Sequence, residues 1–363
     1  EDYIEPPTEA YNQGSSPSRA PRSSMHSSPQ EEAPLATRRS DRLQQAAGSN
    51  EGYREQPDDD IPYHTWLTIT DDLRHSLMTD TSNMTCKQAE ERLGNSATES
   101  IRGELQQLVD KDFAQPIMAA DITSNIRESM IRTKMFIKAK LAADGSIVKL
   151  KSRYVARGDR QDRDLYIDED LSASTADCMT VYTVLAIAAS EGRHIMAADI
   201  GGAYLNASMS DESPQVYIMI EPRIADIMSK LDPSFSSARR QNGTIIAKLK
   251  KCLYGCIESA KRWQLHVVET LTNLGFVSNP YDPCLLNKMC KSGAQTTVVL
   301  YVDDLLVTSV HQQDIQDLLD ALRKKYKDVT ANDGPIVEYL GQRIDMSTPG
   351  IASITMDGMT ERI

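Results

Sequence analysis

The chain has 363 residues and 40% hydrophobic content, which is enough for one large or two modest folded domains. A formal net charge of −12 at pH 7 excludes a protein that coats nucleic acid through overall positive charge, so any such binding requires a locally basic surface. Six scattered cysteines exclude a disulfide scaffold and favour a reducing, intracellular setting.

Residues 1 to 60 are predicted to form a disordered linker. They hold seven of the 16 prolines and nine serines, and they lack the apolar periodicity needed to offset chain entropy. Their basic cluster, Arg38, Arg39 and Arg42, is interpreted as solvated, with nucleic-acid contact or nuclear import as the alternative. Because the chain does not begin with methionine, we expect a segment of a longer polyprotein or an incomplete gene model.

Ordered structure is predicted to begin near Ile61, and residues 61–130 are expected to form an N-terminal helical segment. Within it, Ile101, Leu105 and Leu108 recur at helical spacing among charged and amide residues. This periodicity predicts an amphipathic surface helix.

Residues 132–157 form a basic stretch, with eight Lys or Arg residues against the single acid Asp144. Two strand-like runs, 135–137 and 148–155, flank Asp144-Gly145, a dipeptide typical of hairpin turns. We therefore predict a two-stranded basic hairpin. Such a ribbon suits phosphate contact, but lysines on an exposed strand also discourage aggregation, so a merely solvated face is the alternative.

An acidic residue follows the next predicted helix and strand. After Asp177, which can cap a helix, residues 179–190 are rich in Val, Leu, Ile and Ala, a composition that predicts a helix buried over most of its surface. Residues 194–198 then have the pattern of a short buried strand that ends at Asp199. An Asp at a strand end suits catalysis, but it is also a common turn former or helix cap.

Two further acids lie between two apolar runs. Residues 296–300 lead into Tyr301-Val302-Asp303-Asp304, and a second apolar run follows at 305–307. Asp is a favoured turn residue, but adjacent aspartates without glycine make a poor two-residue hairpin turn. Two carboxylates held close together repel each other unless one is protonated or a cation lies between them. The pattern therefore predicts a hard divalent metal at this turn.

Tyr-Val-Asp-Asp on a strand-turn-strand, preceded by a strand-end Asp, resembles the palm of reverse transcriptases. Further blocks are similar to those of copia-like (Pseudoviridae-type) LTR retrotransposons, and they follow the family's order along most of the chain beyond about residue 85. These blocks are Lys-Ser-Arg-Tyr-Val-Ala-Arg-Gly at 151–158, Ala-Asp-Ile through Tyr-Leu-Asn at 198–206, Leu-Lys-Lys-Cys-Leu-Tyr-Gly at 249–255 with Trp263, Asp-Pro-Cys-Leu at 282–285, and Tyr-Leu-Gly at 339–341 with Ile344.

The resemblance implies a two-metal DNA polymerase that transfers nucleotides from dNTP to a primer 3′-hydroxyl. Asp199, Asp303 and Asp304 would be the catalytic residues that hold two Mg²⁺ ions, with Mn²⁺ as a substitute, and Asp303 is the firmer assignment of the adjacent pair. Tyr204 falls where an aromatic side chain blocks a ribose 2′-hydroxyl. A core tyrosine is the alternative interpretation.

The resemblance also assigns residues around the nucleotide and the primer. A cation on the basic hairpin would grip the triphosphate, and Lys151, Arg153 and Arg157 all remain open for that role. Leu340 and Gly341 would belong to the primer grip. Glu258 stands where the family has a Gln beside the incoming nucleotide, and an acid there would face the triphosphate's negative charge.

The sequence departs from the family pattern at other places. Gly201 and Gly202 replace a Lys-Thr pair, and Asp159 replaces an aromatic residue. Because the sequence ends at Ile363, we expect neither a full thumb nor a ribonuclease H domain within it. A degenerate or domesticated palm-fold remnant, binding nucleic acid or protein without catalysis, is therefore the second functional hypothesis.

The expected fold is α/β (α+β), a right-hand polymerase fragment. Fingers and palm would span 131–345, with an antiparallel palm sheet packed on helices that include 257–274, and 346–363 would begin a truncated thumb or connection. Expected partners are an RNA/DNA template-primer and dNTP, with integrase and ribonuclease H outside this chain. No apolar run reaches the roughly 18 residues that cross a bilayer, so no membrane contact is expected. The resemblance implies a cytoplasmic particle and the nucleus as locations.

Overall fold

The computed structural model describes residues 84–141, 147–167, 171–209 and 214–356. They belong to the unit that spans Ile69–Ile363, whereas the other unit, Glu1–Thr68, lies outside the described residues. The predicted linker at 1–60, the predicted turn at Asp144-Gly145 and the last seven residues also lie outside them.

Helices and strands are mixed along the described chain. The helices are α1 (Cys86–Leu93), α2 (Asn95–Asp110), α3 (Ser124–Ser129), α4 (Cys178–Ser190), α5 (Ala203–Asn206), α6 (Pro222–Leu231), α7 (Pro233–Ser237), α8 (Ser259–Asn273) and α9 (Gln312–Tyr326). The strands are β1 (Ala114–Pro116), β2 (Ile131–Leu141), β3 (Ile147–Ala156), β4 (His194–Ile200), β5 (Tyr217–Ile220), β6 (Ile245–Leu249), β7 (Val277–Ser278), β8 (Leu285–Met289), β9 (Gln295–Tyr301), β10 (Asp304–Ser309), β11 (Val329–Asp333), β12 (Ile336–Tyr339), β13 (Gln342–Asp345) and β14 (Ser353–Thr355).

The N-terminal helices have the predicted amphipathic character. In α2, Ile101, Leu105 and Leu108 are buried on one face. Helix α1 begins with a capping box. The Thr85 hydroxyl accepts from the backbone N–H of Gln88, and the side-chain oxygen of Gln88 accepts from the backbone N–H of Thr85. Such caps satisfy amide groups that the first turn of a helix otherwise leaves unpaired.

The predicted basic hairpin is present as strands β2 and β3, which pair antiparallel from Thr133–Ala156 onward. It joins a five-stranded sheet of order β1-β6-β5-β2-β3, in which only the β2–β5 pair is parallel. A hydrophobic core lies between this sheet and helices α2 and α6. Lys138 lies directly opposite Lys151, and such like-charge pairs are unfavourable unless an anion neutralises them.

The palm sheet is antiparallel throughout, as predicted, with the order β11-β4-β10-β9-β8-β7. Its central strands β9 and β10 are buried along almost their whole length, because a second hydrophobic core containing residues of α4, α8 and α9 covers the sheet. The α/β fold class with helices packed on an antiparallel sheet is therefore confirmed.

Helix α4 differs from its prediction in one respect. Asp177 caps it as expected, with its carboxylate accepting from the Met179 N–H at 2.7 Å. The helix is not buried over most of its surface, however, because Met179, Tyr182 and Ile187 are exposed. Only the stripe containing Val181, Val184, Leu185 and Ala188 is buried. The prediction from the apolar composition of this helix was therefore wrong about how much of its surface is buried.

The predicted Tyr-Leu-Gly hairpin is formed by β12 and β13 within a three-stranded sheet completed by β14. Leu340 and Gly341 are the two turn residues, and both have positive φ (51° and 75°), the pattern of a type I′ turn. No helix among the described residues is both long and apolar enough to cross a bilayer.

Candidate active site

The paired acids lie at a hairpin whose two turn residues include only the first of them, Asp303. Tyr301 ends β9 and pairs with Asp304 at the start of β10, so Val302 and Asp303 form the turn. Val302 has φ +57°, a rare and strained conformation for a β-branched residue. The Trp263 indole N–H donates to the Val302 carbonyl oxygen at 2.6 Å and helps hold this turn.

Asp199 lies beside the turn on the neighbouring strand. In the β4–β10 pair, Asp199 is directly opposite Asp304, a relationship that places the two Cα atoms about 4.5–5.5 Å apart. The Ile200 amide N–H also donates to the Asp303 carbonyl oxygen at 3.0 Å. The fold therefore brings together three acids from two distant parts of the chain.

The acids perturb one another electrostatically. Partial burial, followed by the charge of Asp303, raises the pKa of Asp199, and Lys151 opposes this shift. Burial and the charges of Asp303 and Asp199 raise the pKa of Asp304 to about 6. Paired like charges of this kind favour a bound cation, because a cation relieves their repulsion.

Two of the three acids line a small cavity with a volume of about 100 Å³. These two are Asp199 and Asp303, whereas Asp304 does not line it. Sites for whole small molecules are about 300–1,000 Å³, so this cavity suits an ion or a phosphate group. Among the described residues, no three His, Cys, Asp or Glu side chains converge as a complete metal-binding group.

The three basic residues that were candidates for binding the triphosphate line two different cavities. Lys151 and Arg153 line the acidic cavity, and the Arg153 guanidinium lies 5.1 Å from the ring centroid of Tyr254. Arg157 instead lines a different cavity, and its guanidinium donates to both carboxylate oxygens of Asp159, at 3.2 and 2.8 Å.

Tyr204 lies next to the acids. Its ring packs 4.5 Å from that of Tyr254, and burial together with the charge of Asp303 raises its pKa. Arg153 and Tyr254 line the cavity, and Tyr204 packs behind them with its ring tilted by 55° against that of Tyr254.

Glu258 does not face the cavity. Only 1% of the residue is exposed, and its carboxylate accepts from the Gln161 amide and the Tyr166 hydroxyl, both at 3.2 Å. This polar network connects the start of α8 to the loop after β3. In the hairpin of β12 and β13, burial and the charge of Asp304 raise the pKa of Tyr339, the residue before the Leu340-Gly341 turn.

Two residues that the sequence did not indicate, Asp328 and Gln107, approach the site from distant elements. A Cβ on Gly201 would overlap the carboxylate of Asp328, and a Cβ on Gly202 would lie 2.8 Å from the amide nitrogen of Gln107. The departure of this Gly-Gly pair from the family pattern was the available signal, because an unfilled position in a packed site needs another side chain to fill it.

An antiparallel sheet that presents acids at a strand end and at the adjacent hairpin turn, with cations opposite, is the palm arrangement of template-directed polymerases. A family model described as reverse transcriptase (RNA-dependent DNA polymerase) matches residues 121–362. The chain therefore belongs to the reverse transcriptase family.

Curated relatives support the copia-like resemblance. The chain is similar to the retrovirus-related Pol polyprotein from transposon TNT 1-94 of Nicotiana tabacum, with 25% identity over 59% of this chain and 15% of the relative. It is also similar to that from transposon RE1 of Arabidopsis thaliana, with 24% identity over 54% and 12%. The Ty1-BL Gag-Pol polyprotein of Saccharomyces cerevisiae shows 28% identity over 48% and 9%. The chain thus spans only a small part of these relatives.

Among solved structures, telomerase from Candida albicans shows 11% identity and a TM-score of 0.38, over 71% of this chain and 51% of that one. The family assignment rests on the family model and the curated relatives.

Proposed function

We propose that this chain is the polymerase core of a copia-type retrotransposon reverse transcriptase, which transfers nucleotides from dNTP to a primer 3′-hydroxyl on an RNA or DNA template. The observation that carries the proposal is the cavity in which Asp199 and Asp303 face Lys151 and Arg153. Such a site suits phosphoryl transfer, because its acidic side chains can bind cations and its basic side chains can bind phosphates.

The residues present fit a hard divalent cation, Mg²⁺ or Mn²⁺. Asp199 and Asp303 offer carboxylate oxygens, the ligands such ions prefer, and their mutual repulsion favours a cation between them. Asp304 would contribute from the adjacent strand position. When bound, such ions stabilise negative charge on the attacking and leaving oxygens.

The remaining residues orient the substrate. Lys151 and Arg153 neutralise the triphosphate, and stacking on Tyr254 fixes the direction of the Arg153 guanidinium. Tyr204 packs against Tyr254 beside the acids, where its ring would exclude a ribose 2′-hydroxyl. Leu340 and Gly341 form the turn that would support the primer end.

The proposed partner of this chemistry is a template-primer, which lies along the basic hairpin and the palm. The similarity to Pol polyproteins supports further segments, integrase and ribonuclease H, outside this chain. A cytoplasmic particle and the nucleus are the proposed locations.

Primer extension tests the proposal against the non-catalytic remnant. The purified chain is given a poly-rA template, an oligo-dT primer, dTTP and Mg²⁺ or Mn²⁺. We expect extension that Asp303→Asn reduces about 1,000-fold, because a lost metal ligand removes several kcal/mol of transition-state stabilisation. Asp317→Asn, an exposed acid on α9, is the matched control and should retain activity. No extension, or equal extension by the Asp303 variant, would leave the remnant hypothesis standing.

A further inference from the structure

A glutamine from the N-terminal helical segment reaches the candidate active site. We propose that Gln107 contacts the incoming nucleotide, with its side-chain amide donating a hydrogen bond to a phosphate oxygen. This inference rests on the proposed polymerase function and adds a substrate-binding residue to it.

The first support is the position of the side chain. Gln107 lines the same cavity as Asp199, Asp303, Lys151 and Arg153. It is half-buried, and within the described part of the chain its side-chain amide has no hydrogen-bond partner. A carboxamide carries two N–H donors, and phosphate oxygens are strong acceptors.

The second support is the space that Gly202 leaves. Gly202 has φ +59°, and a Cβ at this position would lie 2.8 Å from the Gln107 amide nitrogen. The amide therefore occupies the volume that a side chain at 202 would fill. Glycine at position 202 therefore leaves the space in which the Gln107 amide lies beside the acids.

The third support is the way helix α2 is anchored at both ends of the cavity. On the β3 side, the Glu104 carboxylate accepts from the Tyr154 N–H at 2.9 Å, and the hydroxyls of Ser100 and Ser152 are 2.8 Å apart. Beyond the C-terminal end of the helix, the Lys111 ammonium donates to the Asn206 side-chain oxygen at 2.5 Å. These contacts hold the helix against both the basic hairpin and the segment after Asp199, so the backbone of Gln107 is held beside the cavity before substrate arrives.

The alternative role for Gln107 is to fill space over Gly202. A space-filling residue and a phosphate ligand differ in their effect on the apparent affinity for dNTP. Gln107→Met keeps the length of the side chain and removes the donors, whereas Gln107→Ala removes both. Gln106→Ala is the matched control, because Gln106 lies on the same helix, donates to Asp110 at 2.7 Å and does not line the cavity.

The experiment measures kcat and KM for dTTP in primer extension, and dTTP binding with Ca²⁺ in place of the catalytic ion. For Gln107→Met and Gln107→Ala we expect KM to rise about tenfold, with a parallel loss of dTTP binding and kcat within about twofold, since one hydrogen bond to a charged group is lost. Gln106→Ala should match the wild type in both readouts.

Two different failures can be told apart. If the wild type extends the primer and both Gln107 variants keep the wild-type KM and dTTP binding, the inference is wrong and the proposed function stands. If the wild-type chain neither extends a primer nor binds dTTP, the proposed function fails and this inference fails with it. The Met variant decides the case in which the Ala variant does not fold.

Discussion

Gly158 and Gly255 pack backbone against backbone, with no room for a side chain on either. A Cβ on Gly158 would overlap the carbonyl oxygen of Gly255, and a Cβ on Gly255 would overlap that of Ala156. The Ala156 N–H also donates to the Tyr254 carbonyl at 2.7 Å. The base of the basic hairpin is therefore joined to the Leu-Tyr-Gly turn, which keeps Arg153 on β3 against the ring of Tyr254.

Alanine at either glycine should destabilise the fold. We expect Gly158→Ala and Gly255→Ala each to lower the free energy of unfolding by about 2–4 kcal/mol, because the added Cβ forces a backbone shift, and at Gly255 alanine also meets a φ of +90°. Chemical denaturation measures the change. Gly293→Ala is the control for positive φ without a close contact, and it should cost only about 1–2 kcal/mol. Equal losses at Gly255 and Gly293 would contradict the close packing.

The raised pKa of Asp304 predicts a pH-dependent stability. Its folded pKa of about 6 lies above the ordinary value of 3.8 for an Asp carboxyl, so the folded state holds the proton more tightly and stability falls as pH rises through this window. Asp304→Asn should therefore raise the Tm by about 2–4 °C at pH 7.5 without divalent ions, and the gain should vanish near pH 4. Solvent screening keeps the effect small, because Asp304 is partly exposed.

Thermal unfolding across this pH range includes Asp345 as a control, because its pKa is shifted in the opposite direction to that of Asp304. A backbone hydrogen bond from Ser347 lowers the pKa of Asp345, so its ionised form stabilises the fold above the unfolded pKa and that contribution is lost as pH falls. Asp345→Asn should not raise the Tm at pH 7.5. Adding Mg²⁺ at that pH should raise the wild-type Tm more than that of Asp304→Asn. A Tm gain that is independent of pH would count against repulsion among the acids.

The ring of Tyr204 should determine sugar selectivity. Tyr204→Val is expected to raise incorporation of ribonucleotides relative to deoxynucleotides about 10- to 200-fold, because a smaller side chain no longer excludes the 2′-hydroxyl. Tyr204→Phe keeps the ring and should keep the selectivity. Competing rATP and dATP on a poly-dT template provides the measurement. Loss of selectivity in the Phe variant would assign the effect to the hydroxyl instead.

The three basic residues of the hairpin block should differ in their effect. Lys151→Ala and Arg153→Ala should each raise the KM for dNTP at least about tenfold, because both side chains line the acidic cavity and charge-assisted hydrogen bonds to phosphate are strong. Arg157→Ala should leave this KM within about twofold, since Arg157 is paired with Asp159 and lines another cavity. A steady-state dNTP titration distinguishes them, and an equal effect at Arg157 would contradict the assignment.

Local patterns predicted the elements and the three acids. Periodicity located α2, the basic hairpin, the strand that carries Asp199 near its end and the strands that flank Asp303, because each signal lies within a few consecutive residues. The environment of Glu258 could not be predicted in this way, since its partners Gln161 and Tyr166 are about a hundred positions away in sequence. The same holds for Gln107, whose approach to Gly202 depends on the packing of α2 against β3.

The hydrogen bond from Trp263 to the carbonyl oxygen of Val302, whose φ of +57° is strained, makes the turn beside the acids depend on a helix well outside the acidic motif. Under the proposed function, a substitution at the indole would therefore lower polymerase activity while Asp199, Asp303 and Asp304 remained intact. The geometry of the acids thus depends on a tryptophan that carries no charge and binds no metal.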